Sequence, residues 1–382
     1  MGEVTLHTEA SLEHVNSKHW DALSHGDSPF QRYGFLRALE ESGSVGPETG
    51  WHPMYLLVER GDELIGAAAA YLKTDSYGEY IFDWAWARAA GQFGQNYYPK
   101  LVIAAPFTPA TGSRLLYRDE ACRELVYEAL GAGIAALVKK FELSSAHVLF
   151  CTDEEAQAMG AHGLARRASF QFHWRNRGYK SFDEFLGALK SRKRKQIRKE
   201  RKRAQEAIDS LEFVPAREMR EDDMLALDRF YRKTVAEHGG FDYLRPGFFQ
   251  AAARNMPDSM LFARVTIDSK VVAGAIFFEG EQSLFGRYWG SEADCDFLHF
   301  EVAYYAAIER CIEKGHTLFE AGAQGQQKLM RGFEPALTHS VHSFADPRFG
   351  RAVEGFLLQE KDGVGQQMAE LAQCGPYREE ED

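Results

Sequence analysis

The sequence predicts a duplicated α/β protein built from mixed sheets, an α+β arrangement that occurs twice in one chain. Three observations carry that expectation. The chain has 382 residues, more than one ordinary hydrophobic core organises. A hairpin signal recurs 207 positions apart, and each copy is followed by the same order of strand, loop, helix and strand. Between the copies lies one long, strongly basic stretch without proline.

In the first copy, Pro53 to Glu59 and Leu64 to Lys73 are apolar runs joined by Arg60-Gly61-Asp62. The strand Lys100 to Ala105, the helix Arg118 to Lys140 and the short strand His147 to Cys151 follow, and Phe170 to Trp174 closes the half. In the second copy, Met260 to Ile267 and Lys270 to Glu279 flank Asp268-Ser269. Then come the strand Leu284 to Gly290, the helix Leu298 to Lys314, the strand Thr317 to Ala321 and the closing strand Thr338 to Phe344. Between them, Ser181 to Ala207 opens on the cap-like Ser181-Phe182-Asp183-Glu184 and reads as one helix. The expected organisation is a first domain at 1–180, a connecting helix at 181–207 and a second domain at 208–382.

Composition narrows the function classes. Hydrophobic residues make up 45% and charged residues 26%, a globular balance. Five cysteines are scattered without a C-x-x-C pair, which argues against a disulfide framework and a zinc site and fits a reducing compartment. The stretch Met1 to Trp20 carries Glu3, Glu9, Glu13 and three histidines, unlike a secretory leader. The longest apolar runs are about half the roughly 20 residues that a membrane helix needs. A cytoplasmic location is therefore expected. No phosphate-binding G-x-x-x-x-G-K-[ST] loop is present.

Charge is unevenly spread. The net charge is -11, yet Lys190 to Arg203 holds ten basic residues against Glu200 alone, so the rest of the chain carries -20. Such a run is ordinarily a solvated helical face; its functional reading is a set of phosphate contacts from Arg192, Lys193, Arg194, Lys195 and Arg198 to an RNA backbone, a lipid-linked diphosphate or an anionic membrane face.

Three blocks then carry a family resemblance. They are Pro106 to Leu116; Gln171-Phe172-His173-Trp174-Arg175-Asn176 running into Ser191 to Arg201; and Gly286-Arg287-Tyr288-Trp289-Gly290 with Leu298-His299-Phe300-Glu301, closing on Phe319 to Gly325, Lys328, Arg331, Gly332 and Phe333. From about Trp20 to Phe349 the chain resembles the FemAB-like group of N-acyltransferases, whose members are tandem Gcn5-related N-acetyltransferase (GNAT) folds. The resemblance implies direct transfer of an acyl or aminoacyl group, from an acyl-coenzyme A or an aminoacyl-tRNA, to an amine or peptide acceptor such as a cell-wall precursor. It implies no covalent enzyme intermediate, and no metal is expected.

That chemistry needs a base for the amine proton, donors for the developing oxyanion and contacts for the donor's phosphates. The loop Pro106 to Arg114, with Thr108, Thr111, Gly112 and Arg114, stands where the superfamily cradles coenzyme A at a helix start, although Thr111-Gly112-Ser113-Arg114 departs from the superfamily's Gln/Arg-x-x-Gly-x-Gly/Ala pattern. A proline-rich connection is the plain alternative. Glu320 ends a strand before a Gly-rich turn and is the first candidate for the base. If the segment after Gly325 is an α-helix, Gln324, Gln327, Lys328 and Arg331 share one face at i, i+3, i+4 and i+7. Glu301 and His299 at a helix start, with Arg287, Tyr288 and Trp289 at the preceding strand's end, complete the candidate site. His173 and His342 read as core histidines. A competing reading keeps the fold and drops the chemistry: a non-catalytic RNA-binding or scaffold protein.

Overall fold

A computed structural model describes residues 3–237, 239–323 and 325–378. The chain forms two compact units, Met1–Phe170 with Leu337–Gln366, and Gln171–Ala336 with Gln367–Asp382. The first opens with β1 (Val4–Glu9), α1 (Ser17–Asp21) and α2 (Tyr33–Glu41), followed by β2 (Trp51–Pro53), β3 (Tyr55–Arg60), β4 (Glu63–Ala68) and β5 (Ala70–Lys73). It continues through α3 (Trp84–Gln92), β6 (Lys100–Ile103), β7 (Leu116–Tyr117), α4 (Glu120–Lys140), β8 (Ser145–Cys151) and α5 (Asp153–Ala161) into β9 (Ala165–Arg175). The expected hairpin forms between β3 and β4, with Gly61 at a φ of 63° in its turn. The expected strand Leu64 to Lys73 is interrupted at Ala69, and its halves serve two different sheets: β4 pairs with β3 and β7, β5 with β2 and β6. The long helix α4 covers this core with Val126, Leu130 and Ile134 against Leu56, Ile65 and Val148. Gly66 allows that approach, because a Cβ there would stand 2.3 Å from a Val126 methyl.

The second unit contains α6 (Phe182–Gly187), α7 (Ser191–Glu206), β10 (Ser210–Pro215), α8 (Glu221–Glu237), α9 (Phe248–Asn255), β11 (Met260–Ile267), β12 (Lys270–Glu279) and β13 (Ser283–Ser291). After it come α10 (Leu298–Phe300), a π-helical turn (Glu301–Tyr305), α11 (Ala306–Lys314), β14 (Leu318–Glu320) and a 3-10 turn (Gln326–Arg331); β15 (Glu334–Phe344) and α12 (Pro347–Gln373) then follow along the chain, most of each in the first unit. The second unit's sheet runs β10–β11–β12–β13–β14 and ends on the last residues of β9. The β11–β12 hairpin turns on Asp268 and Ser269 at φ of 49° and 60°, the two positive values that a tight type I′ connection requires. No helix among the described residues is long and apolar enough to cross a membrane.

Two features differ from expectation. The closing strands pair outside their own halves: His173, Trp174 and Arg175 of β9 pair with Glu320, Phe319 and Leu318 in the second unit, and His339 to Phe344 of β15 pair with β8 in the first. The chain therefore divides at 170/171, not at 180, and Leu337–Gln366 belongs to the first unit. The expected helix Ser181 to Ala207 is two helices. Leu189, fully buried, forms a β-bridge with Tyr377, the Lys190 amide donates to the Pro376 carbonyl, and the Ala188 carbonyl accepts from the Arg378 amide. These bonds from the distant C-terminal segment replace the helical ones, so α6 stops and α7 starts afresh.

Candidate functional site

In the second unit β13 and β14 run parallel, with Phe285 beside Glu320, and their ends face the helix that starts at Leu298. Opposite β12 the register slips: Ile276 pairs with Tyr288 and Phe277 with Gly286, so Arg287 is the extra residue of a β-bulge. A bulge turns its residue out of the regular alternation and commonly re-aims a side chain at a site. Arg287, Tyr288, Trp289, His299, Tyr304 and Ala321 line a narrow cleft of ≈ 90 Å³ at this point. The His299 ring lies 5.4 Å from Trp289 and 5.3 Å from Tyr304.

Glu320 is buried at the end of β14, and its Oε1 is 3.8 Å from His173 Nε2 on the paired strand. Burial, together with the Arg175 and Lys328 charges, pulls His173 down to about 3, so the ring is neutral at pH 7 and the contact is not an ion pair. Beyond Glu320 the chain turns through Gly322 at φ 82° and Gly325 at φ 114°. The segment that follows is a 3-10 turn, not an α-helix. With three residues per turn the i, i+4 and i+7 positions separate. Gln327 is exposed, whereas Lys328 and Arg331 are buried. Gln324 lies outside the described residues. Lys328 Nζ donates to the Gly322 carbonyl at 2.6 Å, and burial, with the Arg287 charge, pulls its amine down to about 7. Burial and the Arg331 and Lys328 charges likewise pull His299 to about 4. The structure thus brings together Arg287, Tyr288, Trp289, His299, Glu320 and Lys328 within one unit.

Glu301 occupies a different setting. It begins the π-helical turn, is buried, and accepts from the Arg201 guanidinium at 3.0 to 3.2 Å and from the Gln205 side-chain amide at 2.9 Å. Arg331 stacks 3.4 Å from the Phe300 ring centroid and donates to Glu200 at 3.1 Å; Tyr305 donates to the same carboxylate. A π-turn widens one turn of a helix and is frequent at functional sites. Here its residues Glu301 and Tyr305 meet α7. Sequence reasoning passed over Glu200, Arg201 and Tyr305 as site residues and read His173 as a core histidine. The position of the two acidic and basic residues on α7 relative to Ile197 and Ala204, at helical spacing, was a signal for an inward face; His173 had none until its strand partner was known.

The outward face of α7 carries Arg192, Lys195, Arg198, Lys199 and Lys202, all exposed, while Lys193 and Arg194 are half-buried. Arg198 pairs with Asp183 at 2.7 Å.

The loop Pro106 to Arg114 belongs to the first unit and does not open a helix. It runs into β7, and α4 begins only at Glu120, where the carboxylate of the N-cap residue Asp119 accepts from the Cys122 amide. Thr108 and Arg114 are buried. Arg114 donates to the carbonyls of Leu149, Ala110, Gly112 and Ser113, at 2.6 to 3.1 Å. Its guanidinium thereby satisfies the loop's own backbone. A Cβ on Gly112 would stand 2.6 Å from Ser28 Cβ, so the glycine permits packing. Thr111 is half-buried in the same loop.

Two mixed α/β halves of this kind define a tandem GNAT-type fold. The chain belongs to the FemAB-like family, described as peptidoglycan biosynthesis/recognition, whose model matches residues 11–379. The fold is similar to the crystal structure of FemX, at 11% identity over 92% of this chain and 100% of that one with a TM-score of 0.56. It is also similar to a DUF2156 domain from Agrobacterium fabrum (12%, 87% and 92%, 0.53) and to L-PGS from Bacillus licheniformis (11%, 85% and 94%, 0.50). No curated protein matches the chain.

Proposed function

We propose that this transferase joins an aminoacyl group, carried as an ester on tRNA, to an amine acceptor in peptidoglycan or lipid synthesis, with the second unit's cleft as the site of transfer. The observation that carries the reading is Lys328, a buried amine held near neutrality beside the bulged Arg287 at the strand ends. Glu320 takes the proton from the attacking amine. The new C–N bond forms first and turns the carbonyl oxygen into an oxyanion; collapse of that intermediate then breaks the C–O bond to the ribose, and the leaving oxygen takes the proton that Glu320 had accepted. Protonated Lys328 and Arg287 stabilise the oxyanion between those events. The family description points to cell-wall chemistry, and the domain from A. fabrum is assigned to a lysylphosphatidylglycerol synthetase, which makes a lipid acceptor the second possibility of the same reaction type.

Two features favour tRNA over coenzyme A. The loop that would cradle a pyrophosphate is packed and self-bonded, and Asp119 already caps the start of α4 through the Cys122 amide. The outward face of α7 supplies exposed cations suited to a phosphate backbone.

Thermal shift with charged tRNA and with acyl-coenzyme A at two salt concentrations tests this. A donor at about 100 times its Kd stabilises by roughly 2.7 kcal/mol. Charged tRNA is expected to stabilise the fold, less so at the higher salt. Stabilisation by acyl-coenzyme A alone, unaffected by salt, overturns the donor assignment. Glu320→Gln is expected to abolish transfer while the tRNA shift persists; unchanged turnover removes Glu320 from the role of base.

A further inference from the structure

A buried ring nitrogen in the second unit faces the candidate base without bonding it. His173, near the end of β9, pairs with Glu320 of β14 in antiparallel register, so the two side chains project from the same face of the sheet. Both residues belong to the second unit and both are 4% exposed. His173 Nε2 lies 3.8 Å from Glu320 Oε1 and makes no hydrogen bond among the described residues. Buried polar atoms are paired in the large majority of cases, because an unpaired one costs stability. The gap to the carboxylate exceeds an ordinary hydrogen bond by only about 1 Å.

The two residues are anchored very differently. β9 is 11 residues long, and Trp174, next to His173, is fully buried with its ring 5.8 Å from Phe185. β14 is 3 residues long and ends at Glu320, with Gly322 at φ 82° just beyond. The ring is thus held firmly, and the carboxylate stands at the loose end of a short strand, where a rigid partner has most to fix. Taking the proton itself is a poor role for the ring. Burial and the Arg175 and Lys328 cations disfavour the imidazolium, and Arg287 in turn acts on Lys328. A neutral ring offers one N–H and one lone pair. Turned toward an ionised carboxylate, the lone pair is repelled and the N–H is attracted.

We propose that His173 is a positioning residue for the transfer: its neutral ring carries the proton on Nε2 and donates to Glu320 Oε1 when donor and acceptor are bound, leaving Oε2 to take the amine proton. Hydrogen bonds of catalytic groups are often long in the free enzyme and tighten once substrate arrives. This role rests on Glu320 being the base, and it supplies the group that holds the base in place.

Nitrogen NMR of the full chain with isotopically labelled histidine reads the tautomer, the His173 signals being assigned by their loss in His173→Gln. A protonated Nε2 is expected; a bare Nε2 with the proton on Nδ1 overturns the proposal whatever the role of Glu320. Turnover is followed with alanyl-tRNA as donor and glycinamide as acceptor amine. His173→Phe keeps a ring and lacks the N–H; it is expected to lower kcat about tenfold to a hundredfold with KM within about threefold. The acidic limb of kcat should also move to higher pH, because a carboxylate that loses a donor protonates more readily. His173→Gln, which restores a side-chain N–H, is expected to recover most of both. Wild-type kcat and acidic limb in His173→Phe overturn the proposal, and so does a His173→Gln enzyme no better than His173→Phe, the mark of a packing role. Unchanged turnover in Glu320→Gln removes the base itself and the proposal with it; turnover lost in Glu320→Gln but kept in His173→Phe removes this proposal alone.

Discussion

Two buried lysines show how the surroundings decide what an amine does. Lys100, in the first unit, is fully buried but lies 2.8 Å from Glu79 and 2.5 Å from Asp83; burial alone would lower it, and the two carboxylates raise it above the ordinary lysine value. It stays charged and serves the fold. Lys328 is as deeply placed, bonds a carbonyl, and feels Arg287, so its amine falls to about 7. A group that changes charge near neutrality is what transfer chemistry uses. If protonated Lys328 stabilises the oxyanion, the rate falls as pH rises through about 7, because the cation is lost above that value. Lys328→Arg keeps its charge throughout, so kcat measured against pH should lose that alkaline limb. Lys328→Ala should cost about 10²–10³ in kcat, the size of one lost oxyanion donor. An alkaline limb still at 7 in Lys328→Arg would show that another group titrates there. The residue types of this site were legible as Glu320, a glycine turn and Lys328 together. Their geometry was not, because a 3-10 turn and an α-helix share the same short sequence pattern.

At the scale of the element, α7 has two faces with different tasks. Ten basic residues in one stretch read as a solvated helical face, yet Ile197, Glu200 and Ala204 are buried and Arg201 is mostly so. This inward stripe ties α7 to the π-helical turn through Arg201–Glu301 and to the 3-10 turn through Glu200–Arg331. The division makes a sharp energetic contrast. Arg201→Ala strips the guanidinium from a carboxylate with 1% side-chain exposure, and removing one partner of a buried pair costs roughly 3–5 kcal/mol. Arg198→Ala removes a surface pair, worth less than about 1 kcal/mol. Denaturant midpoints should therefore move strongly for the first and barely for the second, whereas salt-sensitive binding of charged tRNA should weaken for the second. Equal destabilisation by both would contradict the two-faced assignment. The elements themselves were read best where the deciding chemistry is local: the β11–β12 hairpin ends where Asp268-Ser269 dictates. The break between α6 and α7 was hidden because its cause, the Leu189–Tyr377 bridge, lies 188 residues further along the chain.

For the whole molecule, the duplication was visible and the exchange was not. Periodicity marked Phe170 to Trp174 and Thr338 to Phe344 as strands, but a strand's sequence does not name its neighbour. The exchange has a consequence for which pieces of the chain can fold. Residues 1–180 alone, the first domain as the sequence suggests it, lack the β15 segment that pairs with β8. They also lack Phe349, Val353 and Leu357, which close the cluster around Trp86, Ala90 and Tyr97. Three large apolar side chains, each contributing on the order of 1.5–3 kcal/mol on burial, are comparable together to the net stability of a whole domain, about 5–15 kcal/mol. The fragment 1–180 should accordingly show broad, non-cooperative thermal unfolding and bind a hydrophobic dye. The same fragment joined through a flexible linker to residues 337–366 should recover a cooperative transition, because it then contains every segment of the first unit. A cooperative transition in residues 1–180 alone would mean that β15 and α12 decorate the first unit and do not complete it.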